Sequence, residues 1–167
     1  MSARTVVCGV DGSAGSRHAL AYAVRSAAAR RARLRVVSAF SRSDSLIGWS
    51  WAAAAGVVLP TDTELAHAIR ADVADTVDDV LDELRPELPV APEIDIVVAD
   101  GSASAVLLTE SEDAAELVVG HRGRGAWSGL GSVAFSCVHR ARCPVTIVPA
   151  PVPVTAPMLG ATAGAHG

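Results

Sequence analysis

The chain has 167 residues, which supports one domain with a substantial core. Half of the residues are hydrophobic but only 4% are aromatic, so Ala, Val, Leu and Ile must build a core of the kind that suits a parallel sheet covered by helices. A net charge of -4 gives no global basic field that would attract nucleic acid. The longest apolar run, residues 51–59, is too short to span a bilayer, and the N-terminus has no signal-peptide core. We therefore expect a cytoplasmic protein that binds neither nucleic acid nor membrane.

The first third of the chain has the pattern of a buried strand, a helix and a second strand. Residues 5–10 form an apolar run without alternation, which is typical of a strand covered on both faces. The turn sequence Asp11-Gly12-Ser13 separates it from an Ala-rich helix over about 14–32. A second strand is predicted over Leu34–Phe40.

An irregular connection over residues 41–60 precedes the next helix. It contains Trp49 and Trp51, which either pack onto the domain or form a ligand or partner surface. Thr61 to Glu64 has the form of a capping box, so a helix should begin there, and Pro86 ends it.

The second half repeats the alternation of strand and helix. Strands are predicted over Glu93–Val98, Leu117–Val119 and Val145–Val148, and helices after the turn at 100–102 and over 132–142. Helical crossovers between successive strands predict a single α/β domain with a doubly wound, parallel, five-stranded sheet and helices on both faces.

The C-terminal segment has a different composition from the rest of the chain. Residues 150–167 consist largely of Pro, Ala, Gly and Thr without a periodic apolar face, so we expect a disordered tail after a domain that comprises residues 1–149. Truncation after Pro149 should leave the melting temperature and ligand binding unchanged. A marked drop in the melting temperature would show that the tail packs on the domain.

The most distinctive segment is the glycine-rich stretch that runs from Gly120 to Ser132, between the fourth strand and the last helix. It has five glycines in the twelve residues 120–131. Such a turn presents backbone N–H groups to phosphate, and the helix N-terminus adds partial positive charge. Ser132 is predicted as both the helix N-cap and a hydroxyl donor to an anion. The segment matches neither the P-loop nor the dinucleotide-binding spacing.

Asp11 follows the first strand and has two interpretations. Its carboxylate could accept hydrogen bonds from a ribose or an adenine amine or hold a magnesium ion through water, or it could cap the first helix. Ligands of doubly wound sheets bind at the carboxyl ends of the strands where the strand order reverses. If strands one and four are neighbours, Asp11 and the glycine-rich stretch face one crevice.

The cysteines point to no disulfide framework. Cys8, Cys137 and Cys143 are an odd number without disulfide spacing, and Cys8 lies in a predicted buried strand. Cys137-x-His139 with Cys143 lacks the paired spacing of zinc sites, so no metal site is predicted.

Several of these segments together resemble the universal stress proteins. They are Val7-Cys8-Gly9-Val10-Asp11-Gly12-Ser13, Val118-Val119-Gly120-His121-Arg122-Gly123, Gly131-Ser132 and Cys143-Pro144-Val145-Thr146-Ile147-Val148. They fall in family order and cover residues 5–148. The resemblance implies a strand order of 3-2-1-4-5, a homodimer made through the last strand, Val145–Val148, and binding of ATP, with or without Mg²⁺.

The resemblance also implies a set of nucleotide-binding residues. Val10, Asp11, Ala39, Val119 and Gly120 would contact the adenosine; Arg122 and Gly123 would lie beside the ribose and phosphates; and Gly131, Ser132 and Val133 would hold the phosphates. Seven residues separate Gly123 from Gly131, whereas the family pattern has nine. The shorter loop would either close over a smaller ligand or crowd a triphosphate.

Three classes of function remain open at this point. The first is a stress-response signalling dimer that binds nucleotide, the second a weak ATPase or adenylating enzyme, and the third a nucleotide-free dimeric scaffold. An enzyme needs an acid or base beside the phosphates. His121 is the nearest candidate, but a surface histidine is the simpler interpretation, so no catalytic residue is assigned.

The implied dimer has a physical rationale. In the implied order the last strand lies at the sheet edge, where an unpaired apolar strand promotes association. A two-fold partner could add its own last strand. Thr146→Pro is the substitution expected to remove an edge hydrogen bond.

Overall fold

The computed structural model describes residues 4–41, 54–56, 58–123 and 130–149. Strands and helices alternate along these residues as β1 Thr5–Gly9, α1 Ala14–Arg30, β2 Arg33–Phe40, α2 Asp62–Leu84, β3 Ile94–Asp100, α3 Ala103–Glu110, β4 Glu116–Gly120, α4 Ser132–Arg140 and β5 Val145–Val148. The predictions for Trp49, Trp51 and the tail at 150–167 lie outside the described residues. No helix in the described ranges has the length and apolar character needed to cross a membrane.

The five strands form one parallel sheet in the order β3-β2-β1-β4-β5. β1 lies between β2 and β4, with Cys8 opposite Val36 on one side and Val118 on the other. The predicted fold class and the implied strand order are therefore confirmed. The order reverses between β1 and β4, so the segments that follow these two strands emerge side by side at one edge of the sheet.

Apolar side chains fill the space on both faces of the sheet. On one face α1 and α2 pack against the alternate residues Val6, Cys8, Leu34, Val36 and Val118. On the other face α3 and α4 pack against Val7, Val37, Leu117 and Val119. Because β1 is covered on both faces, its apolar run does not alternate with polar residues, as the sequence indicated.

The structure confirms the predicted N-terminal cap of one helix and contradicts it for two others. Thr61 and Glu64 form the predicted capping box at α2. The N-cap of α1 is Ser13, whose hydroxyl accepts from the Ser16 N–H, so the capping interpretation of Asp11 is wrong. The N-cap of α4 is Gly131 and not Ser132, which is the first helical residue. The hydroxyl of Ser132 is therefore not used as a helix cap.

A buried carboxylate, Glu116, fixes α1 and β5 to the start of β4. Its side chain is 4% exposed. It accepts hydrogen bonds from Ser26 Oγ at 2.5 Å and Thr146 Oγ1 at 2.6 Å, and Arg30 Nη2 lies 3.3 Å from it. Burial acts to raise the pKa of Glu116, but these hydrogen bonds and the Arg30 charge outweigh it and hold the pKa below its ordinary value. The carboxylate is therefore ionised at neutral pH.

Glu116→Gln should reduce the free energy of unfolding at pH 7 by about 1–3 kcal/mol, because Gln cannot accept all of these bonds as a charged group. A lowered folded-state pKa means that the ionised group stabilises the fold above the ordinary carboxyl pKa, and that this stability disappears as the pH falls through the folded-state value. Urea denaturation at pH 7 and at pH 4 should show a smaller difference between the two proteins at the lower pH. An equal difference at both pH values would contradict the role of the charge.

The β5 backbone alternates between bonds to β4 and groups at the free edge of the described sheet. Leu117 N–H donates to Pro144 O at 2.8 Å, and His121 N–H donates to Val148 O at 2.8 Å. In a parallel strand both backbone groups of a residue point to the same side, and the side alternates along the chain. Thr146 therefore points its N–H at β4, and Ile147 points to the edge. The expectation that Thr146→Pro removes an edge bond is wrong.

Candidate functional site

The segment between β1 and α1 holds Asp11 at the carboxyl edge of the sheet. Val10 continues the strand direction, because its N–H donates to Val37 O at 2.9 Å. Asp11 Oδ1 accepts from the Ser13 N–H at 3.0 Å and from Ser13 Oγ at 2.6 Å. Ser13 is also the cap of α1, so these bonds tie the position of the Asp11 carboxylate to the start of the helix.

The two ends of the glycine-rich loop after β4 are joined by a backbone hydrogen bond. Gly131 N–H donates to His121 O at 2.9 Å. This bond brings the described end of the loop, residues 120–123, beside the first turn of α4. The intervening residues 124–129 lie outside the described part of the chain.

Glycines allow these segments to approach one another closely. A Cβ atom on Gly123 would lie 2.5 Å from Asp11 Oδ2. One on Gly131 would lie 3.4 Å from His121 O, an ordinary contact distance, so the close approach is at Gly123. The carboxylate of Asp11 therefore packs against the backbone of Gly123, and the loops after β1 and β4 form one continuous wall.

A cavity of about 490 Å³ opens between these loops, within the usual range for ligand sites. The structure brings together around it all ten residues that the resemblance implied, namely Val10, Asp11, Ala39, Val119, Gly120, Arg122, Gly123, Gly131, Ser132 and Val133. They come from β2, β4 and α4 and from the segments that follow β1 and β4. The crevice expected from neighbouring strands one and four is thus present.

Sequence reasoning missed a further part of the cavity lining. This part comprises Gly9, Ser16, Val37, Ala103, Leu107, Leu130 and Ala134. Ala103 and Leu107 belong to α3, which follows the carboxyl end of β3. The turn sequence Asp100-Gly101-Ser102 after β3 was the signal that could have indicated another loop at the same edge of the sheet. In the structure Gly101 has a φ of +135°.

The cavity lining is mostly apolar and carries few charges. Among the described lining residues, only Asp11 and Arg122 have charged side chains. The N-terminus of α4 adds partial positive charge at Ser132. One end of the cavity is therefore suited to an anion, and the apolar walls from Val37, Ala39 and Val119 suit a flat, weakly polar group.

His121 and the cysteines do not supply reactive groups to this cavity in the described structure. His121 is not among the described residues that line it. Cys8 is buried in the core, and burial raises the pKa of its thiol far above the usual range. In the described ranges, no three side chains of His, Cys, Asp or Glu are placed to hold a metal ion.

Comparison with known proteins identifies the family. Residues 2–149 match the model of the universal stress protein family, and the chain therefore belongs to it. A universal stress protein of Mycobacterium tuberculosis is 29% identical over 157 residues. This match covers 87% of the chain but 48% of the relative, so the chain spans about half the length of the curated relatives it matches.

Solved structures of the same family share the fold. A universal stress protein in complex with cAMP has a TM-score of 0.60 and 24% identity, and the match covers 90% of this chain and 100% of that one. A universal stress protein from Archaeoglobus fulgidus in complex with dAMP has a TM-score of 0.56 and 20% identity, with 89% and 99% covered. UspA from Lactobacillus plantarum has a TM-score of 0.61 and 18% identity, with 87% and 97% covered.

Proposed function

We propose that this protein is an adenine-nucleotide-binding member of its family that acts as a signalling or regulatory homodimer in the stress response. The observation that carries the proposal is the single cavity around which all ten implied nucleotide-binding residues lie. Two solved family members are complexes with the adenine nucleotides cAMP and dAMP, which supports the same ligand class here.

The adenosine part of the ligand is assigned to the apolar end of the cavity. Ala39 and Val119 provide apolar walls for the base. The carboxylate of Asp11, held in place by Ser13, supplies acceptor oxygens for a ribose hydroxyl or an adenine amine. Val10 and Gly120 also line the cavity and are assigned to this end.

The phosphates are assigned to the wall formed by the loop after β4 and the first turn of α4, which adjoins Asp11 through Gly123. Val133 offers a backbone N–H in the first turn of α4, where the helix dipole favours an anion, and Gly123 offers loop backbone beside it. Gly131 lines the same wall, but its own N–H donates to His121 O. The Ser132 hydroxyl, which caps no helix, adds a donor. Arg122 contributes a positive charge to this wall of the cavity.

ATP with or without Mg²⁺ is the specific ligand that the family pattern implies. Asp11 is the only carboxylate among the described lining residues, and Mg²⁺ in proteins is often bound by one carboxylate together with substrate phosphates. The residues present therefore fit a metal that arrives with the nucleotide. Its chemistry would be to neutralise phosphate charge next to Asp11.

The dimer is proposed to form through β5. This strand lies at the edge of the described sheet, and all four of its residues are half-buried. An apolar edge strand that adds the same strand of a second copy has its outward backbone groups satisfied.

A cytoplasmic location remains a prediction from the sequence.

Ligand identification is the decisive test. Denaturing mass spectrometry of the purified protein should release an adenine nucleotide, and calorimetric titrations with ATP, AMP and cAMP should show one binding site per chain. Turnover of bound ATP would instead indicate an enzyme. If no nucleotide is released and none of the three binds at millimolar concentration, the proposal is wrong and the protein is a nucleotide-free scaffold.

A further inference from the structure

The first turn of α1 lies directly against the backbone of the loop after β4. A Cβ atom on Gly15 would lie 2.8 Å from the Arg122 carbonyl oxygen. From the other side, a Cβ atom on Gly120 would lie 3.1 Å from the Gly15 carbonyl carbon and oxygen. An approach of 2.8 Å between a Cβ atom and a backbone oxygen is a steric clash, so only glycine fits at position 15 without movement of the backbone.

We propose that Gly15 is a positioning residue for the candidate site. Because Gly15 has no side chain, α1 can pack directly against residues 120–123 and hold them where they form the wall of the cavity. The effect on ligand binding rests on the function proposed above, whereas the effect on the loop itself does not. Gly15 does not line the cavity, and it therefore acts through the loop backbone that it contacts.

Hydrogen bonds and packing hold both segments of this contact in place. The loop is held by His121, whose N–H donates to Val148 O at 2.8 Å and whose carbonyl accepts from Gly131 at 2.9 Å. The helix is held by its Ser13 cap and by Ser16, Ala19 and Leu20, which are buried. A side chain at position 15 cannot be accommodated by a flexible neighbour, because the opposing atom is backbone. The loop or its hydrogen bonds must therefore shift.

This contact reverses the usual expectation for a glycine in a helix. Gly→Ala within a helix ordinarily stabilises a protein, raising the melting temperature of a domain of this size by about 1–4 °C. Gly15 has a negative φ, since the described glycines with positive φ are Gly12, Gly56 and Gly101. Alanine at position 15 should therefore cause no backbone strain. Any loss of stability or of ligand binding in Gly15→Ala is attributable to the contact with Arg122.

The test is Gly15→Ala in the full chain, compared with Ala14→Ser, which adds one heavy atom at the neighbouring exposed position. Hydrogen exchange should show the Gly131 amide, which donates to His121, exchanging at least about ten-fold faster in Gly15→Ala. The Val10 amide, which donates to Val37 O, serves as an internal reference and should be unchanged. Binding of AMP should weaken about ten-fold. Ala14→Ser should leave all three quantities at the wild-type values.

The two readouts separate this proposal from the proposed function. If the wild type binds no nucleotide, the proposed function fails, while exchange of the Gly131 amide still decides the role of Gly15. If Gly15→Ala raises the melting temperature and leaves Gly131 exchange unchanged, Gly15 is an ordinary helix residue. Should Gly15→Ala fail to fold, Gly120→Ala tests the same contact from the other side, and unchanged Gly131 exchange in that variant would overturn the proposal.

Discussion

Gly123→Val is expected to abolish nucleotide binding while the fold survives. A Cβ atom at this position would lie 2.5 Å from Asp11 Oδ2, so the valine must displace either the carboxylate or the loop. Either movement places apolar atoms where a phosphate is proposed to meet backbone N–H groups. We expect the affinity for ATP or AMP to fall by about 100-fold or more, equivalent to roughly 2.7 kcal/mol.

The fold should tolerate this change because Gly123 is exposed and is not among the described glycines with positive φ. Calorimetry would give the affinity and circular dichroism the melting temperature. Ala91→Val is a suitable control, since it adds apolar bulk at an exposed position before β3, at the opposite end of that strand from the cavity. Unchanged affinity in a folded Gly123→Val protein would reject the site assignment.

The strands and helices could be predicted because their signals are local, whereas the strand order came from the family resemblance. Each strand is a short segment rich in Val, Leu or Ile, and the Thr61–Glu64 capping box marks the start of α2 within four residues of sequence. The exact helix start at α4 could not be read in the same way. Gly131 and Ser132 are both acceptable N-caps, and the bond from Gly131 to His121 on the far side of the loop decides between them.

The candidate site could be proposed from the sequence only where the family resemblance supplied its residues. The ten residues that the resemblance implied lie in the two loops, at the end of β2 and β4 and at the start of α4, whereas Leu107 and Ser16 line the cavity because α3 and α1 pack over the sheet. The contact between Gly15 and Arg122 joins residues more than one hundred positions apart in sequence. The local sequence around Gly15 does not indicate this contact, because a glycine in the first turn of a helix can also be simply exposed to solvent.

Ile147→Pro is expected to dissociate the proposed homodimer, whereas Thr146→Pro is expected to destabilise the single chain. Ile147 points its N–H away from β4, so proline there removes a donor from the free edge and leaves the bonds to β4 intact. Thr146 differs in both respects. Its N–H faces β4, and its hydroxyl donates to the buried Glu116 carboxylate at 2.6 Å. Proline at 146 therefore removes a ladder bond and one partner of an ionised, buried group.

Analytical ultracentrifugation at micromolar concentration, together with urea denaturation, distinguishes the two effects. Ile147→Pro should sediment as a folded monomer with a modest loss of stability, since its side chain packs against the core on the α3 and α4 face. Thr146→Pro should lose about 3 kcal/mol or more of unfolding free energy, because a buried charge is left short of a donor. A wild type that sediments as a monomer, or an Ile147→Pro variant that stays dimeric, would show that β5 is not the dimer contact and that its apolar edge has another role.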